Sequence, residues 1–248
     1  MILSGNILSK VSLTIALLWS AALFHINAAT PQTVDVKPFG AGLVIAYSDG
    51  RICFADVQKH VTDSIRLKTD IAGIDIRDDY VLAVTPDGMV YKAERNGRSR
   101  KLCRSRISGN ADRVVGIACT KENTLILTEG GVIYGTRDFE TFTTMDFNGT
   151  YYSYYDETSF CSIAASDNSF FIAGTYMNGM PAVFTSATGK IWSERTLTYT
   201  ENGQTRQLEL QPLRLSYDHR HDRFVLSCAD GWLFYMPGCS HCNLLTRE

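Results

Sequence analysis

Tyr80-Val-Leu-Ala-Val-Thr-Pro-Asp-Gly-Met-Val-Tyr91 consists of two short apolar runs joined at Pro-Asp-Gly. Asp-Gly between such runs marks a tight hairpin, because the turn needs a backbone with positive φ that glycine adopts without a Cβ clash. The arrangement recurs around the turns of Leu43–Phe54, Thr124–Tyr134, Phe170–Phe184 and Phe224–Tyr235. The turn glycines Gly50, Gly88, Gly131, Gly179 and Gly231 stand 38, 43, 48 and 52 residues apart. A period of about 45 residues, one supersecondary unit per copy, is the signature of a repeat architecture.

The flanks of each hairpin complete the unit. Before it comes a shorter strand-like segment: Val34-Asp-Val-Lys, Gly73-Ile-Asp-Ile, Val115-Gly-Ile-Ala-Cys, Cys161-Ser-Ile-Ala-Ala or Leu213-Arg-Leu-Ser. Several of these are rich in Gly, Ala, Ser and Cys, which suits strands crowded around a narrow axis. After the hairpin comes a more polar segment, such as Ser64-Ile-Arg-Leu, Arg100-Lys-Leu-Cys or Phe142-Thr-Thr-Met. Four strands per copy, ordered A to D from axis to rim, predict an all-β fold: a β-propeller of about five four-stranded antiparallel blades. No segment carries a sustained helical period, so almost no helix is expected. A β-sandwich is the competing architecture, but its strands need not repeat every 45 residues or so.

The 248 residues are 45% hydrophobic and 20% charged, enough to bury a core. The net charge of -2 gives no global pull toward nucleic acid. At the N-terminus, Lys10 precedes a charge-free apolar run from Val11 to Ile26, and Ala28-Ala29 offers a cleavage point. This reads as a signal peptide over residues 1–28, followed by a single propeller domain over 29–248. The run is short for a membrane span, which takes about 20 residues. A secreted, periplasmic or cell-surface address follows, with no span after cleavage. Seven cysteines remain in an exported chain, and their scattered spacing is not that of a small disulfide scaffold. Cys53, Cys119, Cys161 and Cys228 sit in strand-like runs as small buried hydrophobes. Cys239 and Cys242 have the spacing of a local disulfide closing the last blade.

Thr185-Ser-Ala-Thr-Gly-Lys-Ile-Trp192, between strands C and D of the fourth copy, resembles the Asp-box of sialidase-type (BNR) repeats, Ser-x-Asp-x-Gly-x-Thr-Trp. Thr185, Gly189 and Trp192 match in kind, and Ala187 stands where the aspartate belongs. Thr136–Phe142 in the third copy keeps Asp138 but is one residue short; the second has Gly97 and Ser99 in similar places. The resemblance implies a propeller in which this element pins a turn and tucks its aromatic into the sheet. It does not imply sialidase chemistry. That family uses six blades, an arginine clamp, a tyrosine nucleophile and an acidic partner, and this chain is too short for six full blades.

Candidate sites gather on one face. The B–C turns carry Asp49, Asp87, Glu129, Asn178 and Asp230, a rim of carboxylates that could hold a cation or a polyol. Asp-Gly is also ordinary hairpin chemistry. Tyr151-Tyr152-Ser153-Tyr154-Tyr155-Asp156-Glu157 falls in a D–A connection on the same face, where tyrosine suits stacking on sugar rings or a protein hot spot. The competing reading is a strand with every second ring buried. Arg95–Arg106 is an exposed basic strand, and Asp218-His-Arg-His-Asp222 an A–B turn with metal-ligand residue types. Asn148-Gly-Thr150 is a glycosylation sequon. No cofactor, metal or catalytic set stands out. The expectation is therefore a non-enzymatic binding module for a glycan or an exported protein. The alternatives are a glycoside-processing enzyme with carboxylates at the axis, and a structural scaffold.

Overall fold

A computed structural model of the chain describes residues 31–56, 58, 60–103, 112–201, 203–219, 221–237 and 243–244. Five four-stranded antiparallel sheets follow one another along the chain. The first blade is β1 (Thr33–Phe39), β2 (Gly42–Tyr47), β3 (Arg51–Ala55) and β4 (Val61–Arg66). The second is β5 (Gly73–Arg77), β6 (Tyr80–Val84), β7 (Val90–Glu94) and β8 (Ser99–Lys101). The third is β9 (Val114–Cys119), β10 (Thr124–Thr128), β11 (Val132–Thr136) and β12 (Thr143–Asp146), followed by a five-residue helix, α1 (Phe147–Tyr151). The fourth is β13 (Thr158–Ala165), β14 (Phe170–Tyr176), β15 (Pro181–Ser186) and β16 (Ser193–Glu194). A separate hairpin, β17 (Thr198–Glu201) and β18 (Gln204–Gln207), precedes the fifth blade. That blade is β19 (Pro212–Asp218), β20 (Arg223–Cys228), β21 (Leu233–Pro237) and β22 (Asn243–Leu244).

The innermost strands β1, β5, β9, β13 and β19 touch their successors in turn around the axis, and an Arg214–Asp35 ion pair at 2.7 Å links the last to the first. This is the five-bladed propeller expected from the repeat. All five hairpin glycines adopt left-handed backbone, with φ between 76° and 92°. At Gly50 a Cβ would also collide with the carbonyl oxygen of Thr69, 2.3 Å away.

The core lies between blades. Val36, Ile74, Ile117, Ile163 and Leu215 recur at one place on the inner strands and are all buried. The largest aromatic cluster packs blade three against blade four. Phe147 stands between Phe160, Phe184 and Trp192, with ring centroids 4.7 to 6.4 Å apart.

A bulge recurs in four of the five inner strands, which the sequence pattern did not reveal. Val34, Val115, Cys161 and Leu213 are each an extra residue in the pairing with strand B. Such a bulge re-aims the residue that follows it. The following residues are Asp35, Gly116, Ser162 and Arg214, and each faces the next blade's inner strand. Asp35 accepts from the Ile74 N–H (3.2 Å) and Ser162 from the Leu215 N–H (2.9 Å). At Gly116 a Cβ would stand 3.0 Å from Ile163 Cγ2, and at the equivalent Gly73 one would stand 3.0 Å from Gly116 Cα.

Candidate functional site

The axis is the first place to look for chemistry. Two residues beyond Asp35 and Gly73 on their inner strands come Lys37 and Asp75, with Lys37 Nζ 3.6 Å from Asp75 Oδ1. Asp75 Oδ2 accepts from the Cys119 N–H at 2.6 Å. Burial by itself would lower the Lys37 pKa, but the Asp35 and Asp75 carboxylates outweigh it and hold the ammonium above its ordinary value. Burial pushes the Asp75 carboxyl up, against the pull of Lys37 and the Cys119 N–H. Burial, with the Asp75 charge, also drives the Cys119 thiol up, and burial takes Cys161 up to about 12. The axial carboxylates are therefore fixed by cations and amides, and the thiols beside them stay protonated.

The rim carboxylates do not converge. Asp49 binds Arg51 Nε at 2.9 Å and Arg66 at 3.4 Å, and caps the Arg51 N–H of its own turn. Asp87 accepts from the Thr85 hydroxyl. Asp230 occupies the first left-handed position of its hairpin, at φ 61°, ahead of Gly231. Among the described residues no three His, Cys, Asp or Glu side chains gather as metal ligands. Glu129 reaches Arg113 at 3.4 Å, whereas Asp49 and Asp87 bond within their own turns. Asp218-His-Arg-His-Asp222 behaves alike: Asp218 holds His221 at 2.7 Å, and Asp222 accepts from the Tyr217 hydroxyl, which burial and Asp222 push up to about 12.

The tyrosine segment is not a strand. Asp146 caps α1 by accepting from the Gly149 N–H at 3.0 Å. Helical spacing then brings Tyr151 and Tyr155 to one side, where both pack on the aromatic cluster. The Tyr151 hydroxyl accepts from the Trp192 N–H at 2.8 Å, so this residue holds blade four against α1. Tyr152 and Tyr154 face solvent, each 79% exposed, with Asp156 also exposed. The Met177 N–H donates to the Glu157 carbonyl at 3.1 Å, which sets the B–C turn of blade four beside this segment. Met177 is itself 80% exposed. Asn148 is committed within the fold: its side-chain nitrogen donates to the Gly130 and Thr158 carbonyls, both at 2.9 Å.

The C–D turns of blades three and four share one geometry, in a register that differs from the sequence alignment. The hydroxyls of Thr136 and Ser186 accept from the N–H groups of Phe139 (2.9 Å) and Gly189 (2.8 Å). Phe139 and Gly189 both have positive φ. Ser186, not Thr185, is therefore the capping hydroxyl, and Asp138 corresponds to Thr188. Asp138 accepts from the Thr141 and Glu140 amides at 2.8 Å each; these bonds hold its carboxyl down at about 2. Trp192 is tucked away at 2% exposure, as a turn-pinning aromatic should be.

One feature of the loop face has no counterpart in the repeat. The β17–β18 hairpin lies in the D–A connection between blades four and five, anchored by buried Leu197 and Leu208. With the B–C end of blade five it encloses a pocket of about 490 Å³ lined by Tyr199, Arg206, Gln207, Glu209, Trp232 and Phe234, among others. Leu197-Thr-Tyr-Thr-Glu201 and Gln204-Thr-Arg-Gln207 flank Asn202-Gly203, itself a hairpin signal that could have marked this element. Cys239 and Cys242 lie outside the described residues, as do residues 1–30 and the end of the basic segment from residue 104.

No protein-family model matches the sequence, and no curated protein matches it either. Solved structures do. A chain of the mitotic checkpoint complex superposes with a TM-score of 0.56 at 12% identity, over 89% of this chain and 65% of that one. BBS1N in complex with ARL6DN gives 0.54 at 14% identity, over 86% and 68%. YCF48 from Cyanidioschyzon merolae gives 0.56 at 9% identity, over 84% and 67%. The chain thus spans about two thirds of the length of the chains it matches. At such identities the likeness is one of fold. Among the described residues no helix is long and apolar enough to cross a membrane.

Proposed function

We propose that the protein is an exported, non-enzymatic binding module that offers the loop face of its propeller to a partner protein. The carrying observation is the solvent-facing group of Tyr152, Tyr154 and Met177, on two segments tied by the Met177–Glu157 backbone bond. Tyrosine rings supply large contact area at low entropic cost, and a flexible thioether adapts its shape to the surface it meets. Tyr151, Tyr155 and the Asn148 bonds hold the segment from below, so docking need not order it. Two of the similar solved structures are of propeller-containing complexes with other proteins. The axial carboxylates are held by Lys37 and Arg214, which favours a binding role over glycoside processing. A glycan remains the second ligand class, and a different part of the same face bears on it.

A photo-crosslinking residue placed at Tyr154 tests the reading, with Ile191 on the opposite face as the control. One defined protein should crosslink at Tyr154 and not at Ile191, and Tyr152→Ser with Tyr154→Ser should abolish capture without moving the melting temperature. Equal crosslinking from both faces defeats the proposal. Export is checked by the mature N-terminus, expected at Ala29.

A further inference from the structure

We infer that the pocket between the β17–β18 hairpin and blade five is a binding site for one neutral sugar ring of an oligosaccharide. This goes beyond the protein-docking reading and uses none of its residues.

The pocket's apolar wall is aromatic. Trp232 and Phe234 lie nearly parallel, 16° apart in plane, with ring centroids at 6.2 Å. Tyr199 meets Phe234 at 5.6 Å and 57°. Phe234 is buried and forms the floor, while Trp232 and Tyr199 are half-exposed and stand at the opening. The partly exposed Trp232 ring offers a flat apolar face suited to the C–H face of a sugar, and Tyr199, inclined to Phe234, closes one side of it.

The rim supplies the polar complement. Tyr199 and Arg206 are cross-strand partners and so project to the same side of the hairpin. Arg206 is held at 3.2 Å by Glu201, two residues on from Tyr199 and on that same side. Glu209 completes the rim and is exposed. Guanidinium, phenol hydroxyl and carboxylate together offer donors and acceptors in the mixture that vicinal hydroxyls satisfy. Arg206 is already neutralised by Glu201, and Glu209 adds negative charge, so a phosphate or carboxylate ligand gains little there. A volume of about 490 Å³ falls within the range of small-ligand sites, and the polar groups at its edge are few and convergent.

The hairpin itself argues for use. All four residues of β18 are exposed, and among the described residues the insertion packs on blade five mainly through Leu197, Leu208, Leu210 and the flank of Tyr199. Ordering such a segment costs conformational entropy that its slender core offsets poorly. What the insertion creates is the pocket wall.

Titration of the intrinsic fluorescence of residues 29–248 with chitopentaose, cellopentaose, maltopentaose and mannopentaose tests the site, because Trp232 is half-exposed whereas Trp192 is buried. At least one probe should give a saturable change, with a Kd of about 1 mM or tighter. Trp232→Ala and Glu209→Gln should each weaken it, the first by about tenfold or more, a change of about 1.4 kcal/mol. Tyr152→Ser should leave it intact. The exposed Glu209→Gln variant keeps the test decisive if Trp232→Ala fails to fold. The inference is overturned if no probe saturates, if Glu209→Gln binds as wild type, or if adenosine competes fully for the site.

Discussion

Two junctions between blades hold the ring in opposite ways. Where blade three meets blade four, the inner strands approach without side chains at Gly116, and the outer region is filled by Phe147, Phe160, Phe184 and Trp192. Where blade five meets blade one, the equivalent position is an arginine, and Arg214 reaches Asp35 at 2.7 Å. Blades three and four are consecutive in the chain, so a short connection brings them together and dispersion contacts suffice to lock them. The last and first blades are far apart in sequence, and every blade is built from its own four consecutive strands. Among the described residues no strand of one blade completes another, and the Arg214–Asp35 pair at the axis joins the last blade to the first. Aromatic bulk thus sits where the chain is continuous, and a close ion pair where it is not.

This contrast can be broken in steps. Removing the centre of the aromatic junction has the largest expected effect: Phe147→Ala should cost about 4 kcal/mol, read by chemical denaturation. A loss below about 1 kcal/mol would show that the cluster collapses and is not the lock. Next, Asp35→Ala removes the carboxylate that Arg214, Lys37 and the Ile74 N–H face at the axis and should cost about 3 kcal/mol, with part of it recovered by adding Arg214→Met. If the double variant is no more stable than the single one, closure does not run through this pair. Gly73→Ala, pressing a methyl onto Gly116, should cost about 2 kcal/mol and separates close approach from charge. Tyr151→Phe deletes only the bond from the Trp192 N–H and should cost about 1 kcal/mol.

The smallest effect is at Asp138 and depends on pH. Its folded pKa of about 2 lies below the ordinary 3.8, so its contribution is fully present above 3.8 and is lost as pH falls toward 2. The gap in melting temperature between wild type and Asp138→Asn should be constant from pH 7 to pH 5 and close by pH 2. A gap that persists there would mean that the carboxylate is not what holds the turn.

Much of the fold was legible because hairpin turns are local. Asp49-Gly50, Asp87-Gly88 and Asp230-Gly231 fix backbone dihedrals within a few residues, and the apolar runs beside them alternate faces with a period of two. The sites were less legible. Tyr151 to Tyr155 look alike in sequence, yet the turn that follows α1, closed by the Tyr155 N–H on the Tyr151 carbonyl at 3.0 Å, brings these two inward and leaves Tyr152 and Tyr154 outward. Asp49 and Asp87 read as part of a rim, and the sequence did not show that each also bonds within its own turn. The alignment over Thr185–Trp192 was one residue off at the capping position, because a pattern of residue types does not say which hydroxyl meets which amide. The pocket beside the β17–β18 hairpin was missed because Trp232 and Tyr199 are 33 residues apart and neither stands in a motif.

The amino-acid sequence by itself determined the number of blades, their strand order and the hairpins that define them, since short-range turn chemistry and the 45-residue repeat act within each copy. The tertiary structure alone decided which side chains face the axis. A single extra residue at Val34, Val115, Cys161 or Leu213 re-aims its successor, and whether that residue bulges depends on pairing with the neighbouring strand. It also decided that an ion pair at the axis links the last blade to the first. That contact joins Asp35 to Arg214 across nearly the whole domain, a distance over which no local pattern carries information.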